Sequence, residues 1–342
     1  MGCCNNKVER GSQLEVRNKP LNGSVVDEDQ LANGEYIRPH QPQNKYHTTA
    51  EENESPNDIH KPSPSFARPV DAIPFTPNPH MISAMQVVGE YKFRYDKPED
   101  AFLPFLGPYE LDNQAIYHGQ WKEGARHGRG KQIWPDGSIY EGYWRDNMAN
   151  GHGRLIHADG DVYEGEWLND KAHGHGKYIH LDGAMFDGEW REDKQHGFGV
   201  ETWPDGSRYE GQYIHGKKHG TGRFFWADGS RYEGEFENNN IEGRGIYEWA
   251  DGRRYEGEWI GNKMDGYGVF VWPDGRKYEG NYLDDKKHGY GVFQWADGRI
   301  YKGNWVNGKQ HGKGHFSAPG EPERSGEWEF GNCIRWNPID DE

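Results

Sequence analysis

The amino-acid sequence predicts an all-β protein, an elongated twisted ribbon of consecutive antiparallel β-hairpins that follows a disordered N-terminal region. Three observations predict it. The 342 residues include 48 glycines but only 33% hydrophobic residues, so aromatic side chains must supply most of the buried surface. One phrase recurs every 23 residues from residue 117 onward. Within each copy, aromatic residues and glycines alternate with a period of two, which is the period of a β-strand.

The repeated phrase forms nine units, which we number one to nine. Their opening residues are Tyr117, Tyr140, Tyr163, Phe186, Tyr209, Tyr232, Tyr255, Tyr278 and Tyr301. Glycine follows two residues later, an aromatic residue four residues later, and then a G-x-G; Asp-Gly closes eight of the nine units. The ninth reads SAPGEPER instead, and a broken tenth unit with Gly326 and Trp328 follows. Atypical terminal units are expected to cap a repeat array.

Each unit is predicted to be one β-hairpin. Three glycines and an Asp-Gly exclude a helix, because each interior glycine costs about 1 kcal/mol relative to alanine. Asp-Gly is expected to supply the positive-φ turn to the next hairpin. Glycine within a strand marks a place where another group approaches the backbone closely. We therefore expect aromatic rings of one strand to lie over glycines of its neighbours, in place of an aliphatic core.

These motifs resemble the MORN repeat family, whose pattern is Y-x-G-x-W, then G-x-G, then D-G. The resemblance covers residues 117 to 331, and the sequences of the repeats are similar to those of MORN proteins of ciliates and other protists. Departures are Phe186 for tyrosine, the lost Asp-Gly of unit nine, and Asn150, Glu242 and Asp265 where histidine precedes G-x-G in other units. The resemblance implies an elongated twisted β ribbon.

Five segments follow from these patterns. Residues 1–11 are a lipidation segment, 12–100 a disordered tether rich in Pro, Asn and charge, and 101–116 an N-terminal cap in which LDNQAI is the remnant of a closing turn. Residues 117–323 hold the nine repeats, and 324–342 a degenerate repeat, C-terminal cap and tail.

The sequence offers no catalytic, metal or cofactor site. Histidine precedes G-x-G in six units, at His127, His173, His196, His219, His288 and His311. A metal needs three or four ligands within ~2.0–2.3 Å, whereas alternate strands of a ladder lie nearly 10 Å apart. The repeated Asp and Glu residues are equivalent to one another, while catalysis needs one pair in a distinct environment. We therefore predict a non-enzyme in which these residues serve turns and loops.

The first residues, MGCC, resemble the N-termini of myristoylated and palmitoylated proteins. Gly2 would accept myristate, although Asn6 stands where the usual motif has Ser or Thr. One acyl chain gives only marginal membrane attachment, and palmitoylation of Cys3 and Cys4 would supply the second signal. An unmodified terminus is the alternative. The remaining cysteine is Cys333, so no disulfide framework is expected.

The leading hypothesis is a membrane-tethered scaffold at the cytoplasmic face of the plasma or ciliary membrane or at the cell cortex. Its partner is expected to be a helix or extended peptide bound on an aromatic face. The residues of this candidate face are Trp203, Tyr209, Tyr213, Trp226, Tyr232, Phe236, Trp249, Tyr255, Trp259 and Trp272. In the alternative, the same rings are used in packing within the array.

Two other functions stay open. An axonemal or cytoskeletal structural protein would need no lipid anchor. Direct phospholipid binding is disfavoured because residues 117–342 carry 29 Lys and Arg against 39 Asp and Glu, a net charge of −10 that an anionic leaflet repels. The overall net charge of −16 likewise argues against nucleic acid as a partner. Uncovered strand edges at the ends of the ribbon could allow homo-oligomers.

Overall fold

The computed structural model describes residues 67–71, 73, 75–94, 98 and 100–338. The described elements are β1 Arg68–Pro69, α1 Pro79–Val88, β2 Phe105–Glu110, β3 Ile116–Lys122, β4 Ala125–Ile133, β5 Ile139–Arg145, β6 Met148–Ile156, β7 Val162–Leu168, β8 Lys171–Ile179, β9 Met185–Arg191, β10 Lys194–Thr202, β11 Arg208–Ile214, β12 Lys217–Phe225, β13 Arg231–Glu237, β14 Asn240–Glu248, β15 Arg254–Ile260, β16 Lys263–Val271, β17 Lys277–Leu283, β18 Lys286–Gln294, β19 Ile300–Val306, β20 Lys309–Ser317, β21 Arg324–Glu329 and β22 Asn332–Trp336. Among these residues, no helix is long and apolar enough to cross a membrane.

The strands form one open antiparallel sheet. Every strand pairs with its neighbours along the chain, from β1 to β22. Each unit contributes two strands, with glycine opposite glycine at the centre of each pair, as in Gly211 opposite Gly222. The all-β prediction, with one hairpin per unit, is confirmed.

The turns between units follow the sequence prediction. In the first of them the Trp134 N–H donates to the Ser138 carbonyl, and Gly137 adopts a φ of 97°. The Asp136 carboxylate accepts the Ser138 N–H at 2.8 Å, which explains the aspartate of Asp-Gly. The cap segment LDNQAI makes the same turn, because the Leu111 N–H donates to the Ala115 carbonyl.

The turns within units were not recognised in the sequence. They are two-residue turns in which both residues have positive φ, as in Asp146 at 50° and Asn147 at 72°. The second turn residue also joins neighbouring units. The Asn239 N–H donates to the Lys218 carbonyl of the preceding unit, and the Asn239 side chain accepts the Lys218 N–H at 2.8 Å. Gly, Asn and Asp share this place because all three tolerate left-handed backbone.

A short helix precedes the sheet. The Asn78 side chain accepts the Met81 N–H at 3.0 Å and caps α1, which begins at Pro79. Proline suits the first helical turn because its missing N–H would have no partner there. The Gly89 N–H closes the other end by donating to the Met85 carbonyl.

This helix packs on the sheet and corrects the predicted extent of disorder. Met81 and Ala84 are buried against an aliphatic row from units one and two, which consists of Ile133, Ile139, Ile156 and Val162. The prediction of a disordered tether up to residue 100 is wrong for residues 79–88, because ten residues with suitable caps gain apolar contacts from the sheet. The lipidation segment and the tether up to residue 66 lie outside the described residues.

Candidate functional site

One side of the sheet carries the opening tyrosine and the following aromatic residue of each unit; we call it the front face. Each opening ring lies over glycines of its own and the adjacent strand. A Cβ atom on Gly222 would lie 2.5 Å from the Tyr209 hydroxyl oxygen and 2.7 Å from the ring. This confirms the expectation that rings cover bare backbone on neighbouring strands.

The hydroxyls of the opening tyrosines, and the indole N–H groups of several tryptophans four residues later, are bonded to backbone. The Tyr140 hydroxyl donates to the Tyr143 carbonyl at 3.0 Å, and the pattern recurs in seven other units. The Trp144 Nε1–H donates to the Gly130 carbonyl of the preceding unit at 3.2 Å. Burial raises the pKa of the Tyr140 phenol well above its usual range. These rings hold one unit to the next.

The front-face rings form a continuous edge-to-face ladder. The Tyr140 ring centroid lies 5.0 Å from that of Trp144 and 5.2 Å from that of Trp167 in the next unit. The same alternation continues unit by unit to Trp328. Such pairs contribute about 0.5–1.5 kcal/mol each beyond their buried area.

A second aromatic row runs beside the ladder from unit four onward. Its members, in order of contact, are Trp203, Phe224, Trp226, Tyr247, Trp249, Phe270, Trp272, Phe293, Trp295, Phe316 and Trp336. At the start of the row, Glu201 replaces the ring and pairs with Lys218 at 2.8 Å, while the Tyr213 hydroxyl donates to the same carboxylate oxygen at 2.9 Å. Both charged residues are buried, so each depends on the other.

The candidate partner-binding residues all lie in these two rows. Nine of the ten are at most 7% exposed, and Trp249 is half-buried. Packing within the array accounts for their position, which is the alternative given for them above. Contact with a partner through these rings stays a prediction, and among the described residues the front face offers little free aromatic surface.

The histidines before G-x-G stay apart from one another. His127 lies between Asp100 and Asp146, with nitrogen–oxygen distances of 3.4 and 3.6 Å. His196 lies beside His215 of the next turn, 5.9 Å between ring centroids. In the part of the chain that the structure describes, no group of three His, Cys, Asp or Glu side chains could hold a metal ion. Gly2, Cys3 and Cys4 lie outside that part.

The opposite side, which we call the back face, carries three recurring positions. They are the residue after each opening aromatic, the middle residue of G-x-G, and the residue directly after G-x-G. In several units the first and the third form ion pairs across adjacent strands: Lys131 with Glu141 at 2.9 Å, and Arg154 with Glu164 at 2.7 Å. The pairing of Arg223 with Glu233, also 2.9 Å, continues this charge ladder.

The chain itself covers the back face of the first units. Arg154 donates to the Gly89 carbonyl at 2.8 Å, at the end of α1, and its guanidinium lies over the Tyr91 ring. Farther along, Phe93 meets Tyr143 edge to face, with 5.6 Å between centroids. A cavity of about 540 Å³ remains beside α1, with Phe75, Met81 and Ile133 in its lining.

Beyond α1 the back face exposes apolar side chains. Tyr267 and Tyr290, the middle residues of G-x-G in units seven and eight, are 49% and 57% exposed. Ile260 and Leu283 are exposed on the same face. The repeat pattern does not indicate this surface, because its side chains stand at positions that vary from unit to unit. The signal in the sequence is an apolar residue at a variable position.

The fold and these faces define a tandem β-hairpin repeat protein held together by an aromatic ladder. The MORN repeat model matches residues 117–139, 140–162, 163–185, 186–208, 209–231, 232–253, 255–275, 278–298 and 301–320. The chain therefore belongs to the MORN repeat family, and an array of this kind is typically non-catalytic and serves a protein-binding, structural role.

Similarity to solved structures is weaker. The TCP10 domain of Danio rerio CPAP, in complex with a peptide of Danio rerio STIL, aligns with 62% of this chain and 95% of its own at 12% identity and a TM-score of 0.38. The TCP10c domain of Drosophila melanogaster Sas-4 aligns with 46% of this chain and 93% of its own at 16% identity and a TM-score of 0.27. No function is transferred at these values. No curated protein sequence matches the chain.

Proposed function

We propose that this protein is a non-catalytic, membrane-tethered scaffold whose MORN array binds a protein partner. The observation that carries the proposal is the difference between the two faces: the front face holds the sheet together, and the back face is exposed and variable. The front-face rings are buried and bonded to the sheet, which gives a continuous framework. The back face changes from unit to unit and exposes aromatic and aliphatic side chains, the kind of surface that marks protein interaction sites.

The tether in this proposal is the N-terminus. Myristoylated Gly2 with palmitoylated Cys3 and Cys4 would give two or more acyl chains, enough for stable attachment to a cytoplasmic leaflet. The location proposed is the plasma or ciliary membrane or the cell cortex. The support is the sequence MGCC, in which two of the chain's three cysteines follow the myristate acceptor directly.

Metabolic labelling tests the tether. Cells expressing the full chain would be fed alkyne-tagged myristate or palmitate, and wild type would be compared with Gly2→Ala and with Cys3→Ser/Cys4→Ser. We expect myristate label on wild type and not on Gly2→Ala, and loss of palmitate label and of membrane association in the cysteine variant. Unlabelled wild type that sediments with the detergent-insoluble cytoskeleton would reject the tether and favour an axonemal or cytoskeletal structural protein.

The lipid-binding alternative has its own test. Residues 67–342, which omit the acylation signals, would be mixed with vesicles containing phosphatidylserine or only phosphatidylcholine. We expect no binding to either, because the array is acidic. Salt-sensitive binding to the anionic vesicles would make phospholipid a ligand of the repeats themselves.

A further inference from the structure

We propose that the back face of unit three binds an extended, tyrosine-containing segment of a partner protein. The inference rests on the proposed scaffold function and names one docking site and the chemistry of its partner. The site, which we call the unit-three site, consists of His175 and Lys177 on β8 and Asp187 on β9. Unit two carries a site of the same kind, and there the chain itself shows what the site holds.

In unit two the back face holds the segment that follows α1, and this segment is neither helix nor strand. Its Tyr91 is buried. The Tyr91 hydroxyl lies 3.0 Å from the Nδ1 atom of His152 and donates to the His152 carbonyl at 3.1 Å. The Arg154 guanidinium lies over the Tyr91 ring, 5.4 Å from the ring centroid. One tyrosine is therefore held by an imidazole, a carbonyl and a cation of a single unit.

The same cation binds the backbone that precedes the tyrosine. Arg154 donates to the Gly89 carbonyl at 2.8 Å and to the Val88 carbonyl at 3.3 Å. Glu164 on the adjacent strand pairs with Arg154 at 2.7 Å and holds the guanidinium in place. Gly89 ends α1 with a φ of 66°, a conformation that suits glycine. The pattern that unit two recognises is thus Gly-x-Tyr in a chain that is no longer helical at the tyrosine.

Unit three repeats the recognising residue types of unit two at the same positions and in the same register. Lys177 lies opposite Asp187 across two strands, as Arg154 lies opposite Glu164. In the other seven units the place of the histidine is taken by Arg129, Phe198, Thr221, Arg244, Tyr267, Tyr290 and Lys313. The combination of imidazole, cation and carboxylate therefore belongs to units two and three.

The two sites differ in how far they are exposed. In unit two the chain's own segment leaves Arg154 buried. In unit three the side chains of His175 and Asp187 are 63% and 51% exposed. The His175 Nε2 atom lies 3.3 Å from the Asp187 carboxylate, and its Nδ1 atom lies 3.1 Å from the Gly188 carbonyl oxygen. These contacts hold the imidazole on the sheet and leave more than half of its surface open to a ligand.

An exposed aromatic ring adjoins the unit-three site. Phe198 is the middle residue of G-x-G in unit four, the position that His175 has in unit three, and is 54% exposed. Equivalent residues of consecutive units lie ~9.6 Å apart, a distance that an extended chain covers in about three residues. The chain's own segment has an aromatic residue near its tyrosine, Phe93, which meets Tyr143 edge to face. We therefore expect an apolar residue within about three positions of the partner's tyrosine.

Titration calorimetry with the chain's own sequence as the probe tests the proposal. The probe is a synthetic peptide of residues 86–94, QVVGEYKFR, titrated into the full chain. The comparison peptide has alanine in place of the tyrosine. We expect one probe to bind per chain, because unit two already holds its own segment. The alanine peptide should bind about tenfold more weakly or worse, because the tyrosine is the anchor.

The decisive variants exchange one residue between units three and five. In unit five Thr221 stands at the place of His175, and the cation and carboxylate are present as Arg223 and Glu233. His175→Thr should weaken binding of the probe about tenfold, because the imidazole is lost. Thr221→His should raise the number of bound probes from one to two. Both side chains occur at this position in the wild-type array, so both variants are expected to fold.

Lys177→Arg tests the role of the cation. Arginine has more donors than lysine and stacks more readily on an aromatic ring, so this variant should bind the probe about threefold more tightly. The matched control is Lys131→Arg in unit one, where Arg129 stands at the place of the histidine. The control should leave binding unchanged.

Four results would overturn the proposal: no binding of the probe to wild type and Lys177→Arg, equal binding of the alanine peptide, unchanged binding in His175→Thr, or a single bound probe in Thr221→His. Association of the chain with itself would appear in sedimentation as a doubled mass that His175→Thr abolishes, and would also overturn it. Acylation is measured separately, so failed peptide binding with intact myristate labelling rejects the unit-three site and leaves the tethered scaffold standing.

Discussion

The front face of the sheet is nearly the same in every unit, whereas the back face differs along the chain. On the front, an opening ring covers two glycines and touches the aromatic residues of two units. On the back, α1 packs on the first two units, an ion pair joins units five and six, and apolar side chains are exposed in units four, seven and eight.

The difference separates two kinds of information in a repeat protein. A position that is constant across units serves the contacts that every unit needs. A position that varies can hold a side chain that is needed at only one place along the array. In this chain the first kind builds the sheet, and the second kind decides what each stretch of the back face can bind.

The largest effect is expected from filling the space beneath a front-face ring. Gly222→Val places side-chain atoms where the Tyr209 ring lies, so the buried ring or the adjacent strand must shift. We expect the free energy of unfolding to fall by about 3 kcal/mol, seen in hydrogen exchange as lost protection of β11 to β13.

The matched control in the same unit is Gly216→Asn. Nothing lies within 4 Å of a Cβ atom there, and Asn147 and Asn239 stand at the same place with nearly the same φ. Unchanged protection is expected. An equal loss of hydrogen-exchange protection in both variants would show that glycine is needed for its backbone conformation and not for the space beneath the ring.

The next effect concerns the covered part of the back face. Met81→Ala removes the buried side chain with which α1 holds units one and two, at a cost of about 2 kcal/mol. Hydrogen exchange should rise in α1 and β4 to β7, and stay unchanged in β13 to β18. Ile82→Ala, at an exposed position of the same helix, is the control. A rise throughout the sheet would mean that the two regions are not independent.

Much of the fold follows from the sequence, and for a physical reason. The Tyr, Gly and Trp spacing has the period of a strand, and Asp-Gly meets the φ that its turn needs, so hairpins and the ring-over-glycine contact could be predicted. The turns within units could not, because Asp, Asn, Glu, His and Gly all occupy them and share only a positive φ. The helix α1 could not be predicted because its few apolar side chains are buried only by contact with the sheet, and the sequence does not show that contact.

A smaller effect tests the polar part of the front-face ladder. Tyr232→Phe removes the hydroxyl that donates to the Glu235 carbonyl at 3.1 Å and keeps the ring, as Phe186 does in unit four. We expect a loss of about 1 kcal/mol in urea unfolding followed by tryptophan fluorescence. Phe186→Tyr should stabilise unit four by a similar amount. If Tyr232→Phe lowered the free energy of unfolding as much as Gly222→Val, the hydroxyl hydrogen bond, and not burial of the ring, would be the main source of stability.

The smallest effect is expected in the turn between β9 and β10. The Asp193 carboxylate accepts the Ala172 N–H at 2.7 Å, and partial desolvation raises its pKa. Its stabilising contribution is therefore present at low pH and is lost as pH rises through the raised value. Asp193→Asn keeps the acceptor, as Asn239 does, and should stabilise by roughly 0.3 kcal/mol at pH 7, because solvent screens much of the charge effect. Below a pH of about 4 the wild-type carboxyl is protonated, so the difference in stability between Asp193→Asn and wild type should vanish.

The central claim is that front-face rings are closed off by the sheet while back-face rings are open to a partner. Hydroxyl-radical footprinting compares the two directly, with one residue type on neighbouring strands. Tyr255 and Tyr278 on the front are fully buried, and Tyr267 and Tyr290 on the back are about half exposed. We predict oxidation at least ten times faster at Tyr267 and Tyr290. Equal rates, or faster oxidation of Tyr255 and Tyr278, would contradict the account.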